Sequence, residues 1–336
     1  MAGHQNSGPY SPGGRSGDRR LKRPDISVVV LSYNRVHLLR HTLVEGLKQV
    51  MAAGRSYEFI VVDNHPDKLA EGLVTELIAT GAPLTYLADD RRNISILRNI
   101  GIAASRGPYV AFIDDDEAPE PRWLNALFEC LERTGADAAF GPKLPSFETG
   151  KAPDWDKDAW LYTLDFRLPA DAPIEMFGRL RRKGKGLGSG NAAFRVATCF
   201  NTAEPFSVAF GDANGEDTQL LFRLALEGKR FVWCPTAIVK EFIETDRTRP
   251  EYMITRMRRG SQHYAASRIN TSAAPQLTRL KVMALGLAQI GVHATLYILS
   301  FEFLSSTRYT HQIGMAKGLG KLSYRVPIGF IDEQAV

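Results

Sequence analysis

Cysteine is scarce in this chain of 336 residues: Cys130, Cys199 and Cys234 stand far apart, and no two share a CxxC spacing. That excludes a zinc ribbon and a disulfide framework, and leaves small buried thiols in a reducing compartment. The N-terminal residues contain no apolar run of the kind a secretory leader needs, so the body is expected in the cytoplasm. No internal repeat appears. A strong charge excess is also missing, since 42 Lys and Arg face 37 Asp and Glu for a net +5. The distribution says more than the total: residues 1–25 carry +3, residues 26–245 carry −5 and residues 246–336 carry +7. A mildly acidic body argues against a nucleic-acid binder, which would place positive charge on its folded surface. It suits a body that handles metal ions and a basic end that meets an anionic surface.

With 44% hydrophobic and 24% charged residues, the composition is that of a globular protein. Residues 1–24 cannot bury enough surface to fold and read as a disordered basic tail. Order is expected from Ile26, with a body over 25–245 and a helical extension over 246–336. Apolar runs at Ile26–Tyr33, Tyr57–Asp63, Leu84–Leu87, Tyr109–Ile113 and Ala136–Phe140 read as strands. Helical spacing marks Val36–Val50, Leu69–Ala79, Ser95–Ser105 and Pro121–Thr134, the last stopped by Gly135. This alternation predicts an α/β fold with a mostly parallel sheet between helices, whose ligands bind at the carboxyl ends of the strands. Residues 147–187 lack a clear period and contain the basic knot Arg179–Lys185, so they read as a long functional loop. A strand or turn at Asn191–Val196, a helix at Asp217–Glu227 and a strand at Arg230–Val239 complete the body.

The chemistry-bearing residues fall at these strand ends. Tyr109–Ile113 runs into Asp114, Asp115, Asp116 and Glu117, and adjacent carboxylates repel unless something positive offsets them. A hard divalent cation, Mg²⁺ or Mn²⁺, is the natural partner, bound through one or two carboxylates and substrate phosphates. Asp116 is the expected metal ligand, with Asp114 and Asp115 holding the ion's waters or a nucleotide ribose; the bland alternative is an acidic turn capping the next helix. Ser32, Tyr33, Asn34 and Arg35 follow the first strand, Asp63 and Asn64 the second, and Asn93 to Asn99, with Arg98, precedes the acidic strand. Together they can stack a base, accept its N–H and hold a diphosphate; singly, Asp63-Asn64 reads equally as a turn, and Asn34 and Asn93 as helix caps. Glu216 and Asp217 open a helix, where its dipole favours negative charge.

In order and placement these motifs resemble the family 2 glycosyltransferases of GT-A fold: SYNR at 32–35, Asp63-Asn64, Arg98-Asn99-Ile100-Gly101, the Asp114–Asp116 triad and the Glu216-Asp217 pair. The likeness covers about residues 26–260 and extends loosely to succinoglycan-type exopolysaccharide enzymes. It implies transfer of a sugar, such as a hexose from a UDP-hexose, from a nucleoside diphosphate to a hydroxyl with inversion. It further implies that Asp63 contacts the base and Asp116 the metal. Asp217 is the expected general base with Glu216 orienting it, while the metal and Arg98 or the basic cluster neutralise the departing diphosphate. Gly184–Asn191, including Gly190 and Asn191, resembles the segment that passes close to the donor sugar. Arg256, Arg258 and Arg259 stand where relatives carry a basic motif near the diphosphate. The QxxRW signature of processive synthases is absent, which favours addition of single sugars. A sugar-phosphate nucleotidyltransferase would need a glycine-rich loop after the first strand, which SYNRVH is not. A non-enzymatic membrane-associated scaffold would not need the acids.

Val282–Leu304 is 23 residues of mostly apolar sequence interrupted by Gln289, His293 and Glu302. Three readings stand: a helix in the membrane surface, a span, or a helix packed on the body. The first two suit a glycan or polyprenyl-linked acceptor at the cytoplasmic face of the cell membrane, and thus a peripheral or monotopic inner-membrane protein.

Overall fold

Strand β1 (Ile26–Ser32) lies between β2 (Tyr57–Asp63) and β4 (Tyr109–Ile113), with β3 (Leu84–Ala88) outside β2, and all four run parallel. The computed structural model describes residues 23–177, 186–213, 215–300 and 305–325. The 1–24 tail, save its last two residues, and the Arg179–Lys185 knot therefore lie outside the described residues. Beyond β4 the seven-stranded sheet continues through β8 (Ala192–Arg195), β6 (Ala138–Phe140) and β9 (Phe231–Trp233), with β8 antiparallel to both neighbours.

The β-branched runs form strands because both faces are covered, as a parallel sheet requires. Val28, Val30, Phe59 and Val61 point into one core with helices α1 (Val36–Gly46), α2 (Glu71–Ala79) and α4 (Trp123–Thr134). Val29, Ile60 and Val62 point into the other, with α3 (Ile94–Ala104) and α6 (Glu216–Leu226); the one-turn α5 (Val196–Cys199) follows β8. This second core is aromatic: Phe112 meets Phe194, Phe200 and Phe206 edge-on at centroid separations of 5.6–6.3 Å. Gly135 ends α4 in the left-handed region at φ 60°, as its sequence position indicated.

Several boundaries differ from the sequence reading. The strand expected over Arg230–Val239 is two strands in different sheets, because Pro235 lacks an amide donor and Cys234–Ala237 closes a turn. Its second part, β10 (Val239–Ile243), sits between β5 (Glu117–Pro119) and β7 (Lys143–Phe147) in a small second sheet that periodicity did not reveal. The helix expected to reach Val50 ends at Gly46, where a methyl group would sit 2.7 Å from the Phe59 ring. The apolar C-terminal helix begins earlier and ends sooner, as α8 (Pro275–Leu299), preceded by α7 (Pro250–Asn270) and followed by an unanticipated α9 (Ser305–Leu322).

Gly101 has a packing reason. A methyl group there would lie 2.4 Å from Val29 Cγ1, so α3 approaches β1 only without a side chain at this position. Gly101→Ala should cost roughly 1–3 kcal/mol of stability through overpacking, read as a lowered midpoint in urea unfolding at unchanged slope.

Candidate functional site

Parallel register sets the edge at which the polar residues gather. Ser32 pairs with Asp63, and Val30 with Ile113, so the ends of β1, β2 and β4 stop side by side and Asp114 continues just beyond. Because β8 runs antiparallel, it is the segment before it that reaches this edge. Ala192 pairs with Phe112, which brings Gly188–Asn191 against the acidic run. Methyl groups at Gly188 and Gly190 would fall 3.0 Å from Asp217 Oδ2 and 2.5 Å from Asp114 Oδ2, so the backbone passes directly over both carboxylates. Asn191 makes the turn into β8 with φ 56°. Its amide donates to the carbonyls of Pro142 and Ala237 at 2.8 Å each and accepts from Trp123 Nε1 at 2.7 Å. It is a buried strut of the loop.

Fixed cations hold the acids. Arg35 at the start of α1 donates to Asp116 Oδ2 at 2.7 Å and also pairs with Asp115. Arg247, in the turn after β10, donates to the same Asp116 oxygen at 3.0 Å. Beneath them Lys143 of β7 contacts Glu117, Asp114 at 3.2 Å and Glu241 of β10 at 3.9 Å. Burial pulls the Lys143 pKa down, but the three carboxylates outweigh it and raise it well above that of an ordinary lysine. Burial likewise pushes Asp114 up, yet Lys143 and Arg98 prevail and hold it below its usual value. For Asp115 burial prevails over Arg35, and its carboxyl is pushed up to about 7.

Glu216 and Asp217 occupy the first turn of α6, whose entry at Gly215 packs on His263 of α7. Arg98 of α3 donates from Nε to Glu216 Oε1 at 3.1 Å, and its guanidinium lies 5.3 Å from the Phe112 ring centroid. Burial, then the neighbouring Asp217, pushes Glu216 up to about 7. Asp217 is raised by burial, partly opposed by Arg98 and the Thr218 and Ser189 amides, and it feels the charge of Asp114. The two acidic groups, distant in sequence, thus lie close together beside the Gly188–Gly190 backbone. Arg256 lies 3.9 Å from Glu241 and within the field of Asp116, and Arg259 within that of Glu216.

Other expected residues serve differently. Asp63 is fully buried: its carboxylate accepts from the His65 and Ala70 amides at 2.9 and 2.8 Å and from the Tyr86 hydroxyl at 3.1 Å. Those donors reach both oxygens, so the Asp63 carboxylate shapes the loop after β2. Asn93 caps α3 and ties it to Val208 and Asp212, while Asn99 clamps Phe206 through both its backbone groups. Asn34 is exposed, and Ser32 is buried without a hydrogen-bond partner for its hydroxyl. Tyr33 is exposed at the rim, 5.4 Å from the His65 ring and bonded at 2.9 Å to Arg92. Sequence reasoning missed Lys143, Glu241, Arg247 and Arg92. Lys143 and Glu241 lie on short strands with no periodic signal, and Arg247 is one arginine in a basic stretch.

Acids, guanidinium groups and close-passing glycines thus gather at the carboxyl edge of the sheet. The sequence model described as glycosyl transferase family 2 matches residues 27–199. The chain belongs to glycosyl transferase family 2. Over 244 residues it is 30% identical to the succinoglycan biosynthesis protein ExoM of Rhizobium meliloti (strain 1021), covering 72% of this chain and 74% of that protein. It is 26% identical over 240 residues to chondroitin synthase of Escherichia coli, 61% of this chain but 33% of the relative. The fold is similar to that of Staphylococcus aureus TarS 1–349 solved with UDP-GlcNAc, with a TM-score of 0.53, 15% identity and coverage of 90% and 91% of the two chains. This glycosyltransferase therefore has the GT-A architecture that its strand-end motifs indicated.

Three adjacent acids need an offsetting positive charge. Arg35, Lys143 and Arg247 already supply that charge, and among the described residues no group of three His, Cys, Asp or Glu side chains is arranged to hold a metal. Replacing Lys143 with Met should cost roughly 3–5 kcal/mol at pH 8, because it strands buried carboxylates. In that variant the folded-state pKa values of Asp114 and Glu117 rise. The deficit should therefore shrink as falling pH protonates them, which thermal unfolding at pH 8 and pH 5 will show.

Proposed function

We propose that this glycosyltransferase moves one hexose from a UDP-hexose to a hydroxyl of a glycan or lipid-linked oligosaccharide, with inversion, in the synthesis of a surface polysaccharide. The observation that carries the reading is the placement of Asp217 beside the same Gly188–Gly190 backbone as Asp114, so that a base and an acid-and-guanidinium cluster meet at one strand edge. In the reaction, an acceptor hydroxyl gives its proton to the Asp217 carboxylate as its oxygen bonds to the anomeric carbon. The bond from that carbon to the diphosphate oxygen breaks, and the nucleoside diphosphate leaves with the electron pair. Asp217 suits the role: burial raises its pKa and so makes its carboxylate a stronger base, and the Thr218 amide, 2.5 Å from Oδ1, orients it. Glu216, held by Arg98, fixes the helix turn that carries the base. Arg35 and Arg247, with Arg256 and Arg259 behind them, supply positive charge for the departing diphosphate.

A single carboxylate, Asp116, fits Mg²⁺ or Mn²⁺ when the donor's phosphates complete the shell. When bound, the ion would neutralise charge on the leaving diphosphate. Tyr33 at the rim offers a ring face for the base. The ExoM and TarS likenesses support, respectively, a polysaccharide pathway and a UDP-sugar donor.

Asp217→Asn should lower transfer by roughly 10²–10⁴-fold while leaving UDP affinity unchanged in calorimetry; transfer at the normal rate would remove Asp217 as the base. Because the base must be ionised, activity should rise with pH, with an acid limb displaced upward from that of an ordinary aspartate. Arg35 and Arg247 occupy Asp116, so Mn²⁺ should bind weakly to the protein alone. Adding UDP should strengthen Mn²⁺ binding by roughly tenfold or more, read by electron paramagnetic resonance of the free ion, and Asp116→Ala should abolish the gain. A panel of UDP-, GDP- and TDP-sugars, followed by slow hydrolysis, identifies the donor.

A further inference from the structure

Helix α8 is inverted relative to a surface helix of a water-soluble protein. Its inner side, facing α9, carries the polar groups. Lys321 Nζ donates to Gln289 Oε1 at 2.7 Å, His293 and His311 meet at 3.3 Å between their Nδ1 atoms, and Arg308 donates to the Tyr297 hydroxyl at 2.9 Å. Close packing locks this seam. A methyl group at Gly286 would fall 2.9 Å from the Gly318 carbonyl, and one at Gly318 2.7 Å from that of Gly286. The outer side is apolar: Leu280, Leu287, Ile298 and Leu299 are each 61–80% exposed, with Leu285 and Val292 between them. Over 282–299 that outer side bears no charge. That charge-free stretch is 18 residues long, about 27 Å at helical rise.

We infer that this face of α8 lies in the plane of a lipid bilayer, sunk among the acyl chains just below the headgroups, and that α8 does not cross the membrane. The inference deepens the reading that the acceptor is lipid-linked. Two features select a bilayer as the occupant. Exposed apolar area of this extent, uninterrupted by charge, matches an interfacial helix. Arg279 and the exposed Lys281 stand at the start of α8, and neither α8 nor α9 holds an acidic residue, so anionic headgroups are complementary. The seam decides between lying and spanning. A spanning α8 would have to take Arg308, Lys317 and Lys321 of α9 into hydrocarbon or break its pairs with them. Helix α9 is in turn fixed to the catalytic unit. A methyl group at Gly320 would lie 2.3 Å from the Arg258 carbonyl of α7, and Gln262 of α7 donates to the Ser323 carbonyl at 3.0 Å. Because α7 also carries Arg256 and Arg259, the bilayer plane and the acidic strand edge are held at a set distance and angle, as a lipid-carried acceptor requires.

Flotation of the full chain with vesicles of phosphatidylcholine, with and without phosphatidylglycerol, tests this. Recovery with the anionic vesicles is expected, and Leu287→Glu with Val292→Glu should lower partitioning by roughly tenfold or more. UDP affinity measured without lipid should not change, which confirms that the variant is folded. Nitroxides on cysteines placed singly at Leu280, Leu287 and Ile298 should report one common depth. A depth that passes through the bilayer midplane overturns the in-plane reading. Unchanged flotation of the charged variant, or a lipid-independent dimer that it abolishes, overturns the lipid assignment. Absence of vesicle binding by the unsubstituted chain, with UDP binding retained, would refute docking and leave sugar transfer standing, whereas absence of UDP binding counts against the enzymatic reading alone.

Discussion

A buried ammonium group makes the acidic edge of this protein possible. Four consecutive acids follow a fully buried strand, and without compensation their mutual repulsion and desolvation would oppose folding. Lys143 sits among Glu117, Asp114 and Glu241, and Arg35 and Arg247 close over Asp116 from above. The charge of the acidic edge is therefore partly compensated by the protein's own cations. Any anionic ligand that enters exchanges partners with groups already present, so binding and local rearrangement of guanidinium groups belong to one event.

That arrangement depends on two departures from a plain βαβ series. An antiparallel β8 delivers the glycine segment, and not the end of a helix, to the carboxyl edge. The small sheet of β5, β10 and β7 forms a floor under the triad, because β5 begins at Glu117 and β7 at Lys143. From β10 the chain passes through the turn bearing Arg247 into α7, then through α8 and α9, so the basic end of the sequence folds back onto the acidic body. The charge asymmetry between the body and the last 91 residues is thus partly consumed within the site and partly displayed beside α8.

The strands Tyr57–Asp63 and Tyr109–Ile113 were legible to the residue, because continuous β-branched runs have few alternatives when both faces are buried. Short elements were not: Glu117–Pro119 and Lys143–Phe147 contain too few residues for a period to register, and Pro235 hid a change of sheet inside one apolar run. Asp63, Asn93, Asn99 and Asn191 were recognisable as important polar residues. Their spending on loop and cap hydrogen bonds depended on which backbone amides and carbonyls came near.

Sequence by itself determined the elements whose signals are local: the order of strands and helices, the acids at strand and helix ends, the family those motifs mark, and an apolar segment near the C-terminus. Tertiary structure decided what neutralises the acids, which face of α8 is exposed, and that Asp217 and Asp114 lie beside one glycine segment. The physical reason is range. Periodicity and capping act over a few residues, whereas the salt bridges of the site join side chains as far apart as Arg35 and Asp116, 81 positions, or Arg247 and Asp116, 131, and only the packed chain sets their distance.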